Sequence, residues 1–106
     1  MDIMRLTGGR VKPGAWDQFE AAYRRGVAEV GHITGLKGRW LIRDINDPDA
    51  GTTVSIWDSL ASLENYEKSQ RAKVIIPILQ PFFIGDYRVS INEVHYVDMG
   101  QAVSGS

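Results

Sequence analysis

Few side chains in this chain could carry out covalent chemistry, and their types narrow what that chemistry would be. None of the 106 residues is cysteine, which excludes thiolate catalysis, disulfides, iron–sulfur clusters and cysteine-held zinc. The two histidines, His32 and His95, form no HxH or HxxxH pair, and no Ser-His-Asp order can be proposed on spacing. Gly8-Gly9-Arg10 lacks the spacing of a phosphate-cradling loop. What remains is the phenols Tyr23 and Tyr66, the imidazole of His95, the guanidinium of Arg5 and the indole of Trp57. Together such groups can move a proton and hold an oxyanion within an apolar pocket. Each also has a plainer reading. The two tyrosines suit core positions with hydroxyls at the surface, and Trp57 suits a core or interface. Arg5 suits a solvated or interface charge, His95 a partly exposed strand position, and His32 a structural place in a Gly-flanked loop.

The elements that must position these groups can be read from periodicity. Residues 53–57 alternate, with Val54 and Ile56 between Thr53, Ser55 and Trp57, as a strand with two different faces does. Asp58 or Ser59 can then cap a helix over residues 60–69, where Leu60, Leu63 and Tyr66 recur on one side. Upstream, residues 3–7 form a short strand punctuated by Gly8-Gly9. A helix beginning near Pro13 carries Trp16, Phe19, Tyr23, Val27 and Val30 as one apolar stripe, with Gly31 as its stop. Residues 35–45 read as a second strand, and 46–51, with Asp47-Pro48 and Gly51, as a hairpin turn. A further helical piece over 72–79 is interrupted or ended at Pro77. The last strand spans 87–97, long enough to predict a bulge or break near Asn92. Residues 1–97 form a single domain, and 98–106 a flexible C-terminal tail.

The order β-α-β-β-α-β is that of a ferredoxin-like α+β fold, a four-stranded antiparallel sheet with both helices on one face. Strand parity divides the sheet residues into two sets. Met4, Leu6, Trp40, Ile42, Val54, Ile56, Val89 and Ile91 form an apolar set, assigned to the face beneath the helices. Arg5, Thr7, Leu41, Arg43, Ser55, Trp57, Arg88, Ser90 and Asn92 form a mixed set. It is too apolar to leave wet and is assigned to a second sheet in a C2 homodimer.

Twelve basic against thirteen acidic residues give a net charge of −1, with no electrostatic drive toward nucleic acid. Lys37, Arg39 and Arg43 read as one solvated strand face. No apolar run approaches the ~18 residues of a membrane span, and the N-terminus lacks a signal peptide's pattern, so a cytoplasmic location is expected. The length and the lack of a parallel βαβ pattern exclude a nicotinamide or flavin domain.

Several pieces in order resemble the antibiotic biosynthesis monooxygenase (ABM) family of dimeric α+β barrels. They are Trp57-Asp58-Ser59 between strand and helix, Gly35-Leu36-Lys37-Gly38 entering strand two, the Asp47-Pro48 tip, and residues 79–85 leading into the last strand. The resemblance covers nearly residues 3–97. It implies a homodimer joined through sheet faces, and one group of the family oxidises phenolic polyketide intermediates to quinones without a cofactor. That group's pocket lies between helices and sheet and contains the motif's Trp, here Trp57, and a helix-two Tyr. Leu63 occupies the matching Tyr position, with Tyr66 one turn later. A haem-degrading group carries a helix-two Trp, a His ligand and a strand-one Asn where this chain has Tyr66, Ile76 and Thr7, so haem degradation is disfavoured.

The resemblance therefore implies a cofactor-independent monooxygenase acting on an apolar aromatic molecule, with no metal and no organic cofactor. Such an enzyme deprotonates a phenol so that the electron-rich anion reacts with O2. Tyr66, Trp57 and Arg5 are the catalytic candidates, and Tyr23, Phe19, Leu63 and His95 the substrate-binding ones. The alternative is a non-catalytic small-molecule-binding homodimer of the same fold.

Overall fold

A computed structural model describes residues 1–100. Among these, the chain order is β1 (Ile3–Val11), α1 (Trp16–Val30), β2 (Leu36–Arg43), β3 (Ala50–Trp57), α2 (Leu60–Lys68), α3 (Ala72–Leu79), a 3-10 turn (Gln80–Phe82) and β4 (Phe83–Glu93). The strands form one antiparallel sheet in the order β2-β3-β1-β4, the ferredoxin-like arrangement expected from the sequence. The expected tail begins in exposed residues without regular structure, and its residues 101–106 lie outside the described part. Among the described residues, no helix is long and apolar enough to cross a membrane.

Several details of the elements differ from the sequence reading, each for a local reason; β4, for one, runs from Phe83 to Glu93 instead of 87–97. Gly8-Gly9 does not end β1, because both residues pair across the sheet with Thr52 and Gly51 of β3. Pro13 does not start α1. Ala15 N–H bonds back to Lys12 O at 3.0 Å, and Gly14 has φ 76°, so residues 12–15 turn before the helix begins. Pro77 sits inside α3 without ending it, since Ile75, Ile78 and Leu79 hold the helix against the core. The irregularity in β4 lies near Gly85 rather than Asn92. Between the pairs Gly8–Arg88 and Arg10–Ile84, β4 carries two residues more than β1, and Gly85 takes φ 67°.

The stripe on α1 is buried as its period requires, with Trp16, Phe19, Tyr23 and Val30 packed inward. Ser59, rather than Asp58, caps α2: its Oγ accepts the Ser62 N–H at 3.1 Å. Two apolar clusters result. One gathers Val11, Trp16, Phe19, Ala22, Tyr23 and Leu79. The other gathers Ile3, Val30, Ile33, Trp57 and Leu63, and Ile75 of α3 packs against both.

The assignment of sheet faces is reversed. Ile3, Arg5, Thr7, Arg39, Leu41, Thr53, Ser55 and Trp57 are paired with one another in register, and the helices pack over their face. Met4, Leu6, Trp40, Ile42, Val54 and Ile56 stand on the opposite face, where Trp40 and Ile42 are each 50% exposed. Strand β4 also changes partners. Val89 pairs with Thr7 and Ile91 with Arg5, so these two share the mixed face and Ser90 and Asn92 the apolar one. Counting polarity misleads because the floor beneath the helices is not wholly packed.

Candidate active site

Between the two clusters, the helices and the sheet leave a cavity of about 260 Å³. That is near the lower end of the roughly 300–1,000 Å³ common for small-molecule sites. Its walls are aromatic and aliphatic. Phe19 and Tyr23 come from α1, Leu63 and Tyr66 from α2, and Leu79 from α3, while Trp57 closes one end of the sheet floor. Trp57 is 1% exposed, and its ring centroid lies 5.3 Å from that of Tyr66, tilted by 34°. The indole N–H is already used, donating to Ser55 Oγ at 2.9 Å. The sharp strand-to-helix turn after Trp57 fixes this geometry: Asp58 N–H bonds Gly35 O at 2.9 Å, and the Ser59 cap then aims α2 back across the floor.

The rest of the floor is polar. Arg5, Thr7, Arg39 and Ser55 all line the cavity. Arg5 Nε and Thr7 Oγ1 are both buried without a hydrogen-bond partner among the described residues. The nearest carboxylate to Arg5, that of Glu67 on α2, stands 3.7 Å from Nε, beyond a hydrogen bond. A buried polar atom left unpaired costs about 1–3 kcal/mol, so two on one cavity wall mark a place that suits a hydrogen-bonding ligand. Burial pushes the Tyr23 hydroxyl above its ordinary range; the nearby Arg39 pulls the other way and Tyr66 pushes with burial. Tyr23 is therefore a neutral phenol at neutral pH.

Six of the seven residues singled out from the sequence meet here: Arg5, Phe19, Tyr23, Trp57, Leu63 and Tyr66. His95 does not. It follows the end of β4 with its side chain 73% exposed, 3.8 Å from Glu93, and is removed from the site. The floor residues missed as site residues include Thr7, Arg39 and Ser55. Arg39 does not belong to a solvated face: β2–β3 pairing sets it opposite Ser55, whose other neighbour is Arg5. Arg43, of the same supposed face, stacks its guanidinium 5.1 Å from the Trp16 ring centroid. Knowing the hairpin register would have exposed this row. Among the described residues, no group of three His, Asp or Glu could hold a metal ion.

A four-stranded antiparallel sheet with helices on one face and an aromatic cavity between them define a small ferredoxin-like α+β protein. The family model for antibiotic biosynthesis monooxygenase matches residues 4–77, and the chain belongs to that family. Among solved structures it is similar to SnoaB, a cofactor-independent oxygenase from Streptomyces nogalater (TM-score 0.79, 12% identity, 93% of this chain and 98% of that one). It is similar also to a candidate antibiotic biosynthesis monooxygenase from Bordetella bronchiseptica (TM-score 0.79, 20% identity, 90% and 98% covered). A third is a conserved protein from Methanosarcina mazei Go1 (TM-score 0.77, 20% identity, 87% and 91% covered). At these identities the likeness establishes the fold. No curated protein matches the chain in sequence.

Proposed function

We propose that this protein is a cofactor-independent monooxygenase that oxidises a small phenolic aromatic molecule in the cavity, and that it works as a homodimer. The observation that carries the proposal is the pairing of an aromatic-walled cavity with two buried, unpartnered hydrogen-bonding atoms, Arg5 Nε and Thr7 Oγ1. Family membership supplies the reaction class.

In this reading the substrate ring lies against Trp57 and Tyr66, and its hydroxyl points at Arg5 and Thr7. Tyr66, half-buried on the cavity wall, relays the phenol proton outward, and the Arg5 guanidinium holds the phenolate that forms. The electron-rich ring carbon then bonds to O2. Loss of the ring proton and cleavage of the O–O bond leave one oxygen as a quinone carbonyl and the other in water. Phenol and O2 thus balance as quinone and water, with no external reductant.

The exposed sheet face supports the homodimer. Trp40 and Ile42 are half-exposed beside Met4, Leu6, Val54 and Ile56, an apolar patch that a second copy of the sheet would cover. A second reading, a ligand-binding dimer without turnover, is favoured by Leu63, which stands where the resembled oxygenases have their helix-two Tyr.

Tyr66→Phe separates the two. The proposal predicts a fall in kcat of about 10²–10⁴-fold with phenol binding kept within a few-fold. Unchanged turnover removes Tyr66 from the mechanism. Saturable phenol binding by a wild-type protein that never consumes O2 favours the binding dimer.

A further inference from the structure

Two guanidiniums line the cavity, from Arg5 and Arg39, and among the described residues no carboxylate lines it with them. The two arginines flank Ser55 in one row across β1, β3 and β2, so their Cα atoms lie roughly 10 Å apart on the same face. In the proposed reaction Arg5 answers a charge that appears only when the phenol ionises. Arg39 has no such assignment. It is half-buried, and among the described residues it makes no ion pair or hydrogen bond. A second cation facing a largely apolar cavity is best matched by a ligand group that carries a standing negative charge. A phenol, uncharged near pH 7, cannot provide that charge, whereas a carboxylate is ionised there and accepts the two parallel N–H bonds that a guanidinium offers.

Ser55 adds a donor at the same place. Its Oγ already accepts the Trp57 indole N–H at 2.9 Å, which leaves its own O–H proton free to donate into the cavity. Beside Arg39, the Tyr23 hydroxyl offers another neutral donor.

We infer that the substrate is a hydroxyaryl carboxylic acid, with its carboxylate on Arg39 and Ser55 and its phenol toward Arg5 and Thr7. This rests on the reading of the cavity as the phenol site and specifies the second functional group. Arg39 is then a specificity-determining residue that selects acids over neutral phenols.

The test compares the binding of a hydroxynaphthoic acid, its methyl ester and the parent naphthol at pH 7, by quenching of tryptophan fluorescence. It uses the wild type, Arg39→Gln and Arg39→Lys. The expected result is that the acid binds wild type about tenfold or more tighter than its ester, a preference that weakens with added salt. Arg39→Gln should abolish that preference while leaving ester and naphthol binding within about twofold, and Arg39→Lys should keep part of it. Equal affinity for acid and ester in the wild type overturns the inference and leaves the phenol site standing. An acid preference that survives in Arg39→Gln also overturns it. Binding of none of the three overturns both the inference and the reading of the cavity. Should Arg39→Gln fail to fold, the wild-type comparison and Arg39→Lys still decide.

Discussion

Tyr23 illustrates how one buried hydroxyl links packing to pH. Burial holds its phenol above the ordinary value of 10.0, so folding favours the protonated form. In the unfolded chain the same phenol ionises first. Above about pH 10 the unfolded state therefore holds fewer protons than the folded one, and stability falls as pH rises. Tyr23→Phe cannot ionise. Its melting temperature should fall less steeply than that of wild type between about pH 9 and pH 11, measured by circular dichroism. Equal slopes would show that Tyr23 contributes nothing to the alkaline loss. The aromatic part of this site was legible in the sequence. Phe19 and Tyr23 follow a helical period, and Trp57 ends a strand at a helix cap. The polar floor was not legible, because Arg39 and Ser55 become neighbours only through the β2–β3 register, which alternation alone leaves open by one residue. His95 was misplaced for a related reason. The sequence pattern places it in the last strand, whereas β4 ends at Glu93.

At the scale of elements, the turn between β3 and α2 governs the site, since it holds Trp57 and Tyr66 at their separation. Ser59 at the cap satisfies a free N–H of α2, which an alanine at that position could not do. Ser59→Ala should cost about 1 kcal/mol and lower the melting temperature by about 5 °C. A change below about 1 °C in a thermal melt would mean that the helix is held by tertiary packing alone. Element order and type were readable because the periods of α1 and β3 are strong. The limits of β1 and β4 and the start of α1 were not. Glycine and proline favour breaks in an isolated chain, yet Gly8-Gly9 is held by pairing to Thr52 and Gly51, and Pro77 by the packing of its helix.

For the whole molecule, the two faces of the sheet have exchanged their usual characters. The face beneath the helices carries Arg5, Thr7, Arg39 and Ser55 because it floors a cavity, while the outer face carries Met4, Leu6, Trp40, Ile42, Val54 and Ile56. That reversal defeats a rule that puts the apolar face inward, and it becomes intelligible if a second copy covers the outer face. Trp40→Glu places a charge within that patch, at the half-exposed tryptophan of edge strand β2. It should yield a monomer by light scattering at micromolar concentration with the far-ultraviolet spectrum unchanged, against a wild-type dimer. A monomeric wild type would refute the dimer.

Whether this cavity oxidises a phenol without a cofactor can be read by supplying labelled O2. Purified protein, treated with a chelator, is incubated with a panel of polycyclic phenols and phenolic acids under ¹⁸O2 while O2 consumption and quinone absorbance are followed. One O2 should be consumed per quinone formed, with one labelled oxygen in the product and the other in water. Saturable binding of the same compounds with no O2 consumption above the protein-free rate would contradict it.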